Sequence, residues 1–208
     1  MDLKRFRKKP VLGILRGISQ KSLDPLFDTI ISGGLEAVEI TMNTAGAAKL
    51  IRNAASRYGK KLMIGAGTVL SMKDLQEALQ AGATFIVSPV LIRPVVQYCV
   101  KQKIPVFPGA LIPSDIYEAW QAGATMVKVF PASCFGPEYF KELKGPFPEI
   151  ELLACGGVTP QNTKTYFQNG AGAIAVGSSI FRREWIEHRK FRLIRRKIQS
   201  FLKALPSR

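Results

Sequence analysis

The chain has 208 residues, enough for one domain with a sizeable core and within the range of α/β barrels that fold as single domains. Lys and Arg number 30 against 15 Asp and Glu, a net charge of +15, and no apolar run is long enough to span a membrane. Three cysteines (Cys99, Cys134, Cys155) without C-x-x-C spacing, and one histidine, His188, among charged residues, argue against disulfide frameworks, zinc sites and Ser-His triads. They point to a reducing, cytoplasmic setting. Any proton transfer then falls to carboxylate, lysine or water.

Residues 1–9 hold five bases and one acid and read as a basic N-terminal arm. The apolar stretch from Val11 to Leu15 mimics a short signal-peptide core. Arg16 interrupts it and no small-residue cleavage pattern follows, so a mature N-terminus is expected. Eight apolar strand candidates then appear in order: 11–15, 37–41, 62–67, 85–88, 105–108, 126–130, 151–155 and 173–177. Helical segments follow them at 22–32, 45–58, 72–81, 92–102, 114–122, 137–143, 160–169 and 183–203. A weak repeat marks the helix-to-strand joints, as in Ala81-Gly-Ala-Thr-Phe-Ile-Val87, Ala122-Gly-Ala-Thr-Met-Val-Lys128 and Asn169-Gly-Ala-Gly-Ala-Ile-Ala-Val176. In each, a glycine ends the helix and an apolar strand begins. Eight βα units over 10–181 predict a single-domain (β/α)8 TIM barrel; the rival open doubly wound sheet would need a dinucleotide fingerprint that is missing.

The segment 182–208 holds ten bases and two acids. With the N-terminal +4, its +8 leaves only +3 for the residues between. Its apolar residues Phe191, Ile194, Ile198, Phe201, Leu202 and Leu205 recur at helical spacing, so it reads as a basic amphipathic helix packed on the barrel. Charge runs of this kind are more often solvated faces than ligand sites. Neither membrane nor nucleic acid is an expected partner.

Barrel chemistry sits at the C-terminal ends of the strands. Those ends carry Arg16, Glu39 with Thr41 and Asn43, Thr68, Pro89, Pro108, Lys128 with Phe130, Gly156-Gly157, and Gly177-Ser178. Lys128 lies in Thr125-Met-Val-Lys-Val-Phe-Pro131, a buried strand. Burial disfavours an ammonium ion, and a neutral lysine attacks carbonyl carbon to form a Schiff base. The plainer reading is a lysine whose head escapes at a strand end. Glu39 is either a buried ion-pair partner of Arg16 or Lys128, or a general acid/base. Arg16 could fork onto a carboxylate or phosphate, or form a structural ion pair. Thr68 could bind a carboxylate oxygen or merely cap a helix. Two Gly-rich turns after strands seven and eight suit phosphate, which barrels often bind there through backbone N–H groups.

Together these residues resemble the 2-keto-3-deoxy-6-phosphogluconate / 4-hydroxy-2-oxoglutarate aldolases, class I, metal-independent (β/α)8 barrels. The resemblance runs from about Val11 to about Phe181. It is carried by Ile14-Leu-Arg-Gly17, Val38-Glu-Ile-Thr41, Ile64-Gly-Ala-Gly-Thr-Val69, Ser88-Pro89, Val106-Phe-Pro-Gly109, Val127-Lys-Val-Phe-Pro-Ala132, Gly156-Gly157 and Val176-Gly-Ser178. It implies Lys128 as the Schiff-base residue, with no other cofactor, and Glu39 as acid/base through water. Thr68, Pro89 and Phe130 would line a pyruvate pocket, and Gly156, Gly157, Gly177 and Ser178 would hold a phosphate. Arg16 would meet the polar or phosphorylated end of the substrate, and a homotrimer is expected.

Two positions depart from the gluconate-type pattern. Asn43 stands where an arginine is usual, and Cys155 where threonine is common before the paired glycines. Asparagine at that place, and the stretch from Phe130 to Lys141, look more like the 6-phosphogalactonate branch. The expected reaction is cleavage of a 2-keto-3-deoxy-6-phospho sugar acid to pyruvate and glyceraldehyde 3-phosphate. The alternatives are cleavage of 4-hydroxy-2-oxoglutarate to pyruvate and glyoxylate, and a catalytically silent barrel that binds through its basic ends.

Overall fold

The computed structural model describes residues 1–206, so the last two residues of the segment 182–208 lie outside the described residues. Its strands are β1 (Val11–Leu15), β2 (Ala37–Thr41), β3 (Met63–Gly67), β4 (Ile86–Val87), β5 (Val106–Phe107), β6 (Gly109–Ala110), β7 (Val127–Val129), β8 (Leu152–Cys155) and β9 (Ala171–Val176). All pairings are parallel, in the order β5-β4-β3-β2-β1-β9-β8-β7-β6. The two ends of that order are halves of one strand, the fifth expected from the sequence. Pro108 divides it, because proline offers no N–H to a ladder. β5 pairs with β4 and β6 with β7, so the chain itself closes an eight-unit barrel.

The helices are α1 (Leu3–Lys8), α2 (Gln20–Gly33), α3 (Ala47–Tyr58), α4 (Met72–Gln80), α5 (Arg93–Lys101), α6 (Pro113–Gln121), α7 (Glu138–Lys144), α8 (Pro160–Gln168), α9 (Arg183–Glu187) and α10 (Phe191–Lys203). The continuous helix expected over 183–203 is two helices. Arg189 between them adopts a left-handed φ of 52°, and Lys190 N–H closes the turn by donating to Trp185 O. No glycine or proline marks this break, so helical periodicity runs straight through it.

Strand alternation sorts the core into two shells. Val11, Leu15, Val38, Ile40, Ile64, Val127 and Val129 face outward and pack beneath the helices. Leu12, Ala37, Met63, Phe85, Val87, Phe107, Met126, Leu153, Cys155, Ala173 and Ala175 fill the interior. Glu39 and Thr41 share the inner face with Ala37, and Lys128 shares it with Met126. The same alternation that buries the core therefore aims these polar side chains into the barrel.

The basic segment 1–9 contains α1, capped by Asp2, whose carboxylate accepts from Arg5 N–H. Phe6 from α1 is fully buried in the interior shell and meets Phe107 edge-on at 6.3 Å. It stoppers the barrel at the end opposite the β-strand C-termini. Arg5 and Lys9 both pair with Glu36, at 2.6 and 2.7 Å, and Arg7 pairs with Glu151 at 3.7 Å. Although burial alone would raise the Glu36 carboxyl, the hydrogen bonds from Lys9 and Arg5 hold it below its ordinary value. At the other terminus α10 lays Ile194, Ile198 and Phe201, all fully buried, against the body. Ile198 sits against Gly33, where a Cβ would lie only 3.1 Å from it.

Candidate active site

The floor of the site is built from two strands across the interior. Lys128 is the central residue of β7, hydrogen-bonded through its backbone N–H to Pro108 O at 2.9 Å, and is only 6 % exposed. Its Nζ lies 5.1 Å from the centroid of the Phe130 ring. Phe130 itself is 39 % exposed, so it forms a wall between the buried amine and the open mouth.

Glu39 is the central residue of β2 and 1 % exposed. Its Oε2 is buried without a hydrogen-bond partner. Desolvation raises its pKa to about 7, against the opposing pull of Lys128 and Arg16. A carboxylate tuned to the neutral range can both take and return a proton at physiological pH. The room for Glu39 comes from β3. A Cβ on Gly67 would collide with Glu39 Oε1, so any other residue there displaces the carboxylate.

Cys155 completes the inner wall. It is buried, and desolvation pushes its thiol up to about 11 against the pull of Lys128. A thiol in that range is a neutral neighbour of Lys128 near pH 7, not a competing nucleophile.

The rim is built from turns. Arg16 is exposed at the end of β1 and reaches toward Thr68, with its Nη2 at 3.5 Å from Thr68 Oγ1. Thr68 leaves β3 in a left-handed conformation (φ 55°), which turns its hydroxyl toward Arg16. Asn43 is exposed in the turn after β2. Ser88 is fully buried, and its hydroxyl donates to Val90 O at 2.7 Å, clasping the chain around Pro89. Pro89 and Phe130 flank an open groove of about 430 Å³.

The two Gly-rich turns adjoin each other on β8 and β9. Gly156 and Gly157 have φ of 92° and 74°, and a Cβ on Gly157 would press into Ser133. The following helix α8 opens with a capping box. Thr159 Oγ1 accepts from Asn162 N–H at 3.3 Å, and Asn162 Oδ1 accepts from Thr159 N–H at 2.8 Å. Asn162 Nδ2 also donates to Gly157 O at 3.0 Å, which pins the turn. Gly177 and the exposed Ser178 follow β9, with Gly177 O accepting from Ile180 and Phe181 N–H. Every site residue expected from the sequence thus lies at one end of one barrel. Lys128 and Glu39 form its floor, and Arg16, Asn43, Thr68, Pro89, Phe130, Gly156, Gly157, Gly177 and Ser178 form its walls and rim. Among the described residues, no group of three or more His, Cys, Asp or Glu side chains is placed to share a metal ion. No helix among them is long and apolar enough to cross a membrane.

Comparison with known proteins agrees with this geometry. The family described as KDPG and KHG aldolase matches residues 3–197. The chain belongs to the KDPG and KHG aldolase family. It is accordingly an aldolase, with the family's barrel as a single domain. A 2-dehydro-3-deoxy-6-phosphogalactonate aldolase of Escherichia coli (strain K12) is 35% identical, over 84% of this chain and 86% of that protein. A 2-dehydro-3-deoxy-phosphogluconate aldolase of Pseudomonas aeruginosa is 34% identical, over 77% of this chain and 73% of that protein. A solved KDPG aldolase from Legionella pneumophila, with pyruvate captured at low pH as a covalent carbinolamine intermediate, superposes with a TM-score of 0.87. It is 27% identical and covers 94% of this chain and 95% of its own.

Sequence reasoning missed two structural features of this aldolase site. One is the empty Cβ position at Gly67. The other is the tie from Gly17 N–H to the buried Thr44 hydroxyl beneath the rim. The first had a signal, the Gly-x-Gly pattern on an inner strand face. The second had none, because it depends on two turns meeting in space.

Proposed function

We propose that this class I aldolase cleaves a 2-keto-3-deoxy-6-phospho sugar acid to pyruvate and glyceraldehyde 3-phosphate through a Schiff base on Lys128. The observation that carries this reading is a buried lysine on the inner face of β7 sharing a barrel interior with a buried glutamate whose pKa is about 7. The covalent pyruvate intermediate captured in the Legionella relative supports it.

In this reading Lys128 Nζ attacks C2 of the 2-keto acid, and loss of water gives the iminium. The iminium accepts the electron pair of the C3–C4 bond as that bond breaks. The Glu39 carboxylate, acting through water, takes the C4 hydroxyl proton, and the aldehyde leaves. The enamine is then protonated at C3, and water hydrolyses the resulting imine to pyruvate and free Lys128. The imine is the electron sink, so the reaction as written uses no metal and no other cofactor.

Thr68, Pro89 and Phe130 would enclose the pyruvyl part. Gly156, Gly157, Gly177 and Ser178 would receive the phosphate, with the positive-φ glycines bringing backbone N–H groups close to it. Arg16 and Asn43 would meet the polar middle and end of the substrate. Asn43, in place of an arginine, and the coverage of the galactonate-type relative favour the 6-phosphogalactonate isomer over the gluconate. Exposed Val90, Ile112 and Phe135 near this end would be covered in a homotrimer, to be checked by sedimentation equilibrium. The three free cysteines accord with a reducing cytoplasm.

Pyruvate with borohydride, followed by intact mass and peptide mapping, tests the chemistry. A single adduct on Lys128 is expected, and folded protein without adduct would overturn the reading. Turnover of both phosphorylated isomers and of 4-hydroxy-2-oxoglutarate then tests the substrate. A kcat/KM highest for 4-hydroxy-2-oxoglutarate would replace the phosphorylated sugar acid with that smaller keto acid.

A further inference from the structure

Two threonine hydroxyls are buried beneath the rim and take no part in the chemistry above. Thr41 ends β2 and is fully buried, and Thr44, in the turn that follows, is 4 % exposed. Their Oγ1 atoms lie 3.0 Å apart. Gly17 N–H donates to Thr44 Oγ1 at 3.0 Å. A hydroxyl has one proton to give and two lone pairs. The Thr44 hydroxyl therefore serves both neighbours at once, accepting from Gly17 and sharing a proton with Thr41.

These bonds join three separate turns. Gly17 immediately follows Arg16. Thr41 and Thr44 bracket Asn43, and Thr44 N–H closes that turn by donating to Thr41 O at 2.9 Å. Met42 N–H, in the same turn, donates to Gly67 O at 2.8 Å, and Gly67 immediately precedes Thr68. The groups at the tops of β1, β2 and β3 thus hang from one connected set of bonds. Without the link at Thr44, the turn bearing Arg16 loses this tie to the turn bearing Asn43. Among the described residues, the hydrogen bond that the Arg16 head makes is a long one, to Thr68 at 3.5 Å.

We infer that Thr44 is a positioning residue of this aldolase: its hydroxyl sets the turn that carries Arg16 against the turn that carries Asn43, and Thr41 holds that hydroxyl in place. The inference rests on the proposed reading that Arg16 and Asn43 meet the substrate. It assigns Thr44 no contact with substrate. Its effect is on where the cation stands, and a misplacement of about 1 Å far from the chemistry is enough to cost roughly a hundredfold. Threonine suits the place because its branched side chain is stiff at χ1, which fixes the hydroxyl direction.

The test uses Thr44→Val, which keeps the shape and removes the acceptor, with Thr44→Ser, Thr41→Val and Arg16→Met alongside. Three quantities are read: KM and kcat on the phosphorylated 2-keto acid, the rate of borohydride trapping with pyruvate, and the thermal midpoint. Thr44→Val is expected to raise KM roughly ten- to hundredfold while trapping at Lys128 stays within about twofold of wild type. Thr44→Ser should restore KM, and Thr41→Val should fall between the two. An unchanged KM in Thr44→Val, or equal losses of trapping and turnover, would overturn the positioning role and leave Thr44 a structural residue. Should Thr44→Val fail to fold, Thr41→Val carries the same test, because it removes only the partner of the relay. Arg16→Met separates the two levels of the argument. If it leaves KM at the wild-type value, the assignment of Arg16 to substrate has failed, and this inference with it. If it raises KM while Thr44→Val does not, the positioning role alone has failed.

Discussion

The floor and the rim of this site are made in different ways. The floor, Lys128 and Glu39, consists of central strand residues held by parallel ladders on both sides and almost wholly buried. The rim, Arg16, Asn43, Gly157 and Ser178, stands on turns and is exposed. Burial tunes the floor, since desolvation is what brings Glu39 to about 7. The rim is tuned by hydrogen bonds among turns, which fix where exposed charges stand without altering what they are. On the proposed reading, reaction type is written into the barrel interior, where substitutions are costly, and substrate choice into turns that can vary cheaply.

Breaking the floor should therefore abolish chemistry and breaking the rim should shift recognition. Lys128→Ala is the largest expected effect, with turnover and borohydride trapping both lost. Near-wild-type turnover would remove Lys128 from the mechanism. Glu39→Gln comes next. Trapping should persist, while kcat falls by roughly 10²- to 10⁴-fold, the range for a lost general acid/base. The pH dependence sharpens this. In the cleavage direction the carboxylate is the active form, so the wild-type rate should rise as pH passes upward through about 7. Glu39→Gln should lose that limb.

The same residue gives a stability prediction with a definite sign. The folded-state pKa of Glu39 is raised from 4.5 to about 7, so the folded protein holds a proton that the unfolded chain releases. Between those two values stability falls as pH rises, by up to ~3 kcal/mol in total. Glu39→Gln removes this dependence. Denaturant melts at pH 5 and pH 8 should show wild type losing ground to the variant at the higher pH. A constant difference would contradict the burial account of Glu39.

Much of the floor was legible in the sequence, for a physical reason. Alternation in Ala37-Val-Glu-Ile-Thr41 and Met126-Val-Lys-Val129 assigns Glu39 and Lys128 to the face opposite the helix-packed valines, and a barrel has only one such face. The break at Pro108 and the break at Arg189 were less legible. The first interrupts a strand that closes the barrel, and the second lacks any residue that prefers positive φ. Phe6 was hidden among charges: a single aromatic in a basic hexapeptide gives no periodicity, and its burial depends on the open end of a barrel made by the rest of the chain. The tie between Gly17 and Thr44 spans 27 residues and two turns, and no local pattern encodes it.

Rim variants should act more weakly. Arg16→Met is expected to raise KM about tenfold or more with kcat reduced less, as befits lost binding that is shared by ground and transition states. Saturation kinetics on the phosphorylated substrate would check it. A loss confined to kcat would move Arg16 from recognition to chemistry.

The smallest effect is expected at the basic face of α10, which is a third kind of surface. Its inner side is structural: Ile198 is fully buried against Gly33, and Ile198→Ala should cost about 2–5 kcal/mol by leaving a cavity. Its outer side carries Arg192, Arg195 and Arg196, all exposed. Surface charges of this kind each contribute within about 0.5 kcal/mol, so replacing all three by serine should leave turnover and melting nearly unchanged. Cutting away the whole segment would confuse the two sides, because it would also uncover the core beneath Ile194, Ile198 and Phe201. The triple substitution isolates the charge. Paired with duplex DNA titrations at low and high salt, it asks whether the face does anything beyond keeping the enzyme solvated. Salt-sensitive binding by wild type, lost in the triple variant, would give that face a role of its own. Equal and negligible binding would leave α10 as a strut whose charges merely face water.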